Sequence, residues 1–266
     1  FDKDNITIDH KKANLNLSSI YSILSFILNE THFDKKTQDD TTKILNAFLR
    51  NIIWMAPIRI KPEKVYSDFT RLLEFSSDGG HTPYLLKAIL HDRKGNLQGE
   101  FSGFIKEFLE ESTMCNKIAI KEYGNDETSP FEINVLIEDK PYRISNVGYG
   151  VSQILPIITE LFASVKYNKS HEIYYLIQQP EIHLHPKAQA ALGEFIFKVN
   201  KNSGINFMIE THSDYIIDRF RINQNKHGKN NKKSSAQVLF FERTNKGNSV
   251  YPIEIDKDGE YSADQP

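Results

Sequence analysis

The sequence contains a single cysteine, Cys115, so an internal disulfide framework is excluded and the composition fits a reducing, cytoplasmic compartment. No apolar run approaches the roughly 18 residues that a membrane span needs, so no membrane partner is expected. The chain opens at Phe1 in a polar stretch, without the basic-then-apolar pattern of a signal peptide. Because it also lacks an initiator methionine, further sequence before Phe1 is expected. Charge of either sign is not in excess: the formal net charge of −2 gives no global pull toward DNA, RNA or an anionic membrane. The phosphate-cradling pattern G-x-x-x-x-G-K-[ST] is absent too. Its nearest approximations, SDGG at 77–80 and NKHGK at 225–229, lack the spacing and the following Ser or Thr.

What is present is ordinary for a soluble globular chain, 39% hydrophobic and 26% charged over 266 residues, enough for one large domain or a domain carrying an inserted lobe. Residues 5–9 read as a short strand. Helical spacing runs through 16–32 (Ile20, Ile23, Leu24, Ile27, Leu28) and again through 41–55, which Pro57 stops. The segment 56–67, APIRIKPEKVYS, reads as irregular. After the turn SDGGHTP, Thr82 and Pro83 form a cap and first-turn pair for a helix over 84–92, and a second helix covers 100–113.

The pattern then changes. Strands are expected at 117–124, 131–138 and 141–145, the last two joined by a hairpin turn at EDKP. From there strand and helix alternate: a helix over 151–166, strand 172–178, helix 186–200, strand 205–210 and helix 214–222. Short, fully apolar strands between helices are those of a parallel sheet covered on both faces. A basic loop, 223–235, precedes two strands at 236–243 and 249–255.

Three motifs lie in this alternating half. In NVGYGVSQ (146–153), Gly148 and Gly150 precede a helix with Ser152 and Gln153 in its first turn. Free backbone N–H groups and a hydroxyl there can bind an anion, or the glycines can simply make a turn. In LIQQPEIHLHP (176–186), Gln178 and Gln179 fall at the C-terminal end of a strand, where open parallel sheets take their ligands. His183 and His185 follow, an HxH pair with no further ligand in view and so a poor zinc site or a plain loop pair. In IETHSDYI (209–216), Ser213 is placed to cap a helix and His212 either packs or reaches a phosphate.

Taken in order, these motifs resemble the C-terminal half of an ABC-type ATPase head, and most of all the OLD and RecF/SMC-like group of AAA-labelled ATPases, many of which serve DNA repair or anti-phage defence. The resemblance extends over much of 51–260 and is most specific over 146–216. It implies an α/β fold, an ABC-ATPase-like core with a largely parallel sheet flanked by helices plus a mainly helical inserted lobe. Residues 1–116 would be the lobe and 117–266 the C-terminal part of the nucleotide-binding core. It implies that Gly148, Gly150, Ser152 and Gln153 form the signature motif, contacting nucleotide bound on a second copy in a head-to-tail dimer. Gln178 would then stand at the Walker B position that holds Mg²⁺, and Gln179 where a catalytic glutamate often stands. His183 and His185 would lie in the D-loop, and His212 would be the switch histidine. ATP and Mg²⁺ are the implied cofactors, and an effector such as a nuclease the implied partner; a Septu-like or retron-associated defence ATPase is a narrower match.

Two departures set expectations for chemistry. The chain lacks the Walker A loop, and a carboxamide at Gln178 or Gln179 has neither the charge to hold a hard cation nor the basicity to take a proton. Glu181 and Glu210 are the carboxylates left nearby to serve as catalytic groups. Slow or absent hydrolysis is expected, and a nucleotide-free scaffold built on the same fold is the alternative. A third reading is direct DNA binding through Lys226, Lys229, Lys232 and Lys233, against a solvated loop in a near-neutral chain.

Overall fold

The chain divides into two units, residues 1–52 and 53–266. The computed structural model describes residues 52–68, 75–92, 96–126, 128–167, 173–227, 236–245, 247–256 and 258–261. The strand expected at 5–9, the helix at 16–32 and residues 41–51 of the next helix lie outside these. The end of that last helix is corrected: Ile52–Met55 is a strand, β1. Two adjacent β-branched isoleucines followed by tryptophan suit a pleated surface better than a helix, and here they find a sheet to join. The segment after β1 is irregular, as expected, up to an isolated bridge between Tyr66 and Phe131.

Helix α1 spans Thr82–Leu90 and α2 spans Leu97–Ser112. Pro83 sits in the first turn of α1, but the cap position belongs to His81, one residue earlier than expected. The Thr82 hydroxyl donates instead to the Gly79 carbonyl at 2.7 Å. A three-stranded antiparallel meander follows: β2 (Lys117–Glu122), β3 (Phe131–Ile137) and β4 (Lys140–Arg143). Glu138 and Asp139 turn the β3–β4 hairpin with φ of 51° and 62°, the left-handed pair that matches the twist of the flanking strands. Glu132 on β3 is buried. It accepts from Tyr123 Oη (2.6 Å), Asn134 Nδ2 (3.1 Å) and Arg143 Nε (2.6 Å).

After a 3₁₀ turn at Ile144–Asn146, helix α3 runs from Tyr149 to Tyr167, starting two residues before the expected point. Pro156 lies inside it. The turn before α1 packs on that proline, and a Cβ built on Gly79, whose φ is 79°, would lie 2.6 Å from Pro156 Cβ. Strand β5 (Tyr174–Gln178), helix α4 (Pro186–Ser203) and strand β6 (Asn206–Glu210) form a βαβ unit. β5 and β6 are parallel, in a register from Tyr174↔Asn206 to Gln178↔Glu210, and β1 lies on the other side of β5. Tyr175 and Ile177 are fully buried and share one core with Ile157, Ile158, Leu161 and Leu192. The other face is not buried as expected: among the described residues Met208 stays 66% exposed and Leu176 half-buried. The sheet therefore has one sealed face and one open face, and Gln178 and Glu210 belong to the open one.

Helix α5 (Asp214–His227) extends five residues past the expected end and packs tightly on α4. Gly193 of α4 lies against the Ile216 carbonyl so closely that any Cβ would penetrate it. Strands β7 (Ala236–Thr244) and β8 (Gly247–Ile255) form a separate hairpin whose Leu239, Phe240, Phe241, Val250 and Tyr251 are exposed. Lys226 lies in the last turn of α5, whereas Lys229, Lys232 and Lys233 lie outside the described residues. Among the described residues no helix is long and apolar enough to cross a membrane.

Two predictions follow from this packing. Replacing Gly193 by alanine gains up to about 1 kcal/mol of helix propensity but forces α4 off a backbone carbonyl that cannot rotate away. A net loss of about 1–3 kcal/mol in chemical-denaturant unfolding is expected, and a stabilised variant would refute the contact. For Glu132, burial pushes the carboxyl up. The hydrogen bonds from Tyr123, Asn134 and Arg143, with the Arg143 charge, outweigh it and hold the group at about 2 against an ordinary 4.5. The stability Glu132 contributes is therefore complete above about pH 4.5 and is lost as pH falls toward about 2. The stability gap between the wild type and Glu132→Gln should narrow across that window and be flat above it.

Candidate nucleotide site at the end of the parallel strands

The candidate site is built where β5 stops. Pro180 cannot donate to the ladder, and Gln179 before it takes a left-handed conformation, φ 43°, rare for a residue with a side chain. Its N–H still reaches the Glu210 carbonyl at 2.7 Å, so the parallel pairing runs one residue beyond the strand. The chain then folds into two tight turns, Ile182 N–H to the Gln179 carbonyl (3.3 Å) and Leu184 N–H to the Glu181 carbonyl (2.9 Å), with His183 at φ 63°. Strained residues concentrated in so short a segment are a feature of working sites.

Gln178 is held from three sides. Its Nε2 donates to Glu210 Oε2 at 2.7 Å, and its Oε1 accepts from the indole of Trp54 at 3.1 Å. Its backbone carbonyl accepts from Arg59 Nη2 at 3.0 Å. Both ends of the carboxamide are thus committed. Glu181 is committed as well: Oε2 accepts from Thr211 Oγ1 (2.8 Å) and Oε1 from the His212 N–H (2.7 Å). Rather than standing free as a base, it ties the turn after β5 to the turn after β6. His212 itself has an exposed side chain at this junction.

The two other histidines do not come together as a ligand pair. His183 packs its ring on Tyr149, centroids 5.5 Å apart, and His185 caps α4 by accepting from the Lys187 N–H at 3.3 Å. Ser213 caps α5 as expected, accepting from the Ile216 N–H at 3.3 Å, and its hydroxyl also donates to Gln189 Oε1 at 2.6 Å. In the glycine–serine motif, Gly150 is required by packing, since a Cβ there would lie 2.8 Å from the His183 carbonyl. Ser152 and Gln153 are buried, and the Ser152 hydroxyl donates to the Tyr149 carbonyl at 2.8 Å rather than outward. Asn146, Gly148 and Tyr149 are the parts of this motif exposed to solvent. All three motifs converge on residues 178–185.

Sequence reasoning missed Trp54 and Arg59. Arg59 is 3% exposed, although it lies between Ile58, itself 81% exposed, and Ile60. A lone arginine in P-I-R-I was the available signal, and its inversion of the usual in–out order could be seen only in the fold. Burial pushes its guanidinium down to about 10, while Tyr175 and Glu181 act to raise it, so it stays charged at neutral pH. Its Nε and Nη1 have no hydrogen-bond partner among the described residues.

This donor set can be tested against the groups that the resemblance implies. Orphaned, charged N–H donors beside a strand end fit a phosphate oxyanion. A protein-held Mg²⁺ does not fit: Gln178 is neutral and already engaged at both ends, and among the described residues no cluster of three or more His, Cys, Asp or Glu could hold a metal. The chemistry of the strand end is therefore that of its own donors and acceptors.

Open parallel α/β sheets take their ligands at the C-terminal ends of their strands, where this polar, strained segment lies. Residues 2–217 match the family model described as AAA ATPase domain, and the chain belongs to that family. No curated protein matches it significantly. Similar solved structures include the Smc head domain of Pyrococcus furiosus with an extended coiled coil, bound to the C-terminal domain of ScpA. That likeness has 11% identity, covers 90% of this chain and 50% of that one, and has a TM-score of 0.42. An SmcHead bound to the C-winged helix domain of ScpA gives 13%, 83%, 62% and 0.46. The SMC head domain from Thermotoga maritima gives 11%, 65%, 52% and 0.38. The chain spans about half the length of the first of these.

The Glu181 strut yields a prediction. In Glu181→Ala the His212 N–H and Thr211 hydroxyl lose a charged acceptor, at a cost of about 1.5–3 kcal/mol for each bond that is not replaced by water. Amide exchange at His212 should accelerate while the α2 core remains protected. Unchanged exchange at His212 would show that Glu181 does not hold this turn.

Proposed function

We propose that this chain is the C-terminal portion of an ABC-type ATPase that binds ATP between two copies of itself and turns it over slowly. In this reading it controls a separate effector, such as a nuclease, in the cytoplasm, in anti-phage defence or DNA repair. Membership of the AAA ATPase domain family supports nucleotide binding. The observation that carries the reading is the junction of the two parallel strand ends, where Gln178, Glu210 and Trp54 are bonded in a row on the open sheet face. The dimer, the effector and the biological setting rest on the resemblance of the three motifs, with Asn146, Gly148 and Tyr149 as the exposed part of the signature stretch that a second copy would meet.

Slow turnover follows from the same row. Hydrolysis needs a carboxylate to place the cation and a base to orient water, and both positions hold amides. One specific observation favours the rival reading of a nucleotide-free scaffold: the Gln178 side chain is satisfied at both ends without any ligand.

The test is Gln178→Glu. The new carboxylate would stand where Nε2 now lies, 2.7 Å from Glu210 Oε2, and two like charges at that separation destabilise the fold unless a cation joins them. The variant should melt lower than the wild type without metal, recover on adding Mg²⁺ with ATP, and gain ATP turnover. The wild type should bind ATP with little dependence on Mg²⁺. Failure of both proteins to bind ATP or ADP, with or without Mg²⁺, would establish the scaffold instead.

A further inference from the structure

The guanidinium of Arg59 is buried with most of its hydrogen-bonding capacity unused. One donor, Nη2, is spent on the Gln178 carbonyl, and Nε and Nη1 keep unpaired hydrogens on either side of the planar group. A guanidinium 3% exposed and without a bonded counter-ion among the described residues is expensive to maintain. The two nearby carboxylates are engaged elsewhere: Glu181 with Thr211 and His212, and Glu210 with Gln178. A water molecule could satisfy the donors but would leave the charge. An oxyanion satisfies both, and planar guanidinium is the side chain best matched to phosphate.

We propose that Arg59 is a phosphate-binding residue, its unpaired donors taking an oxyanion of a phosphate-bearing ligand at the C-terminal end of β5. This rests on the reading of that strand end as a nucleotide site. It adds an anchor from the segment after β1, a part of the chain outside the three motifs. The backbone carbonyl of Gln178 orients the guanidinium, so the anion is fixed relative to the strand end itself. The neighbouring Trp54 is the only tryptophan in the chain, and its indole bonds Gln178, so its fluorescence reports on the site directly.

The experiment titrates the wild type, Arg59→Met and Arg59→Lys with inorganic phosphate, pyrophosphate, ADP and ATP, following Trp54 fluorescence. Thermal unfolding is followed in parallel by circular dichroism. The wild type should respond and melt higher with ligand. A response to inorganic phosphate or pyrophosphate identifies the bare oxyanion as sufficient; a response to ATP and ADP alone shows that the nucleoside is needed too. Arg59→Met should melt at or above the ligand-free wild type, because a buried unpaired charge has been replaced by an apolar chain, while its affinity falls by roughly tenfold or more. Arg59→Lys, which keeps charge but not the planar fork, should fold and bind more weakly than wild type; if Arg59→Met does not fold, this variant decides the matter. A ligand-free loss of stability in Arg59→Met with unaltered affinity would overturn the proposal and make Arg59 a structural strut. Equal ATP affinity in all three proteins would also overturn it while leaving the ATPase reading standing. Absence of any binding by the wild type would remove both.

Discussion

The register of β5 against β6 is the constraint on which the rest depends. Pairing Tyr174 with Asn206 makes Gln178 fall opposite Glu210, and the extra bond from the Gln179 N–H to the Glu210 carbonyl locks the two ends together. Because side chains alternate along a strand, this one choice sends Tyr175 and Ile177 into the core and Gln178 and Glu210 to the open face. A slip of β5 by one residue would turn Gln178 into the core and expose the ring of Tyr175. The polar row is thus a by-product of how the apolar residues pack, with no separate energy needed to align it.

Around that register the structure is tied by short links between segments far apart in sequence. Glu181 connects the turn after β5 to the turn after β6, and Gly150 connects the start of α3 to the His183 carbonyl. Each link uses a small or doubly accepting residue where a larger or singly accepting one would fail. The consequence is that positions legible as separate motifs occupy a single locus, the second and third joined by direct bonds from Gln178 to Glu210 and from Thr211 and His212 to Glu181.

Much of this could be read in the sequence, because strands with short apolar runs, proline stops and helix caps are local signals. The meander at 117–143, the βαβ unit and the cap at Ser213 are of this kind. What could not be read has a common cause: it depends on neighbours distant in the chain. β1 looked helical because its apolar spacing is ambiguous over four residues, and only its partner β5 decides the matter. Glu181 looked like a candidate base, since nothing local announces that Thr211 and His212 will occupy its oxygens. Arg59 gave a faint signal at most, because a single buried arginine is defined by the atoms around it. The open face of β6, marked by Met208, likewise depends on what the rest of the sheet does not cover.

Pro156 gives α3 a mechanical character that its length conceals. Proline carries no N–H, so the Ser152 carbonyl four residues earlier receives no helical bond, and the ring crowds that same carbonyl. The helix is therefore a jointed rod: its first turn, opening at Tyr149 and Gly150, is joined to the long rear segment by a weakened ladder. The rear segment is bolted down at Glu160, whose carboxylate meets His81 at 2.9 Å. The break in the ladder at Pro156 thus separates the exposed front turn, packed on the His183 carbonyl through Gly150, from the segment anchored at Glu160.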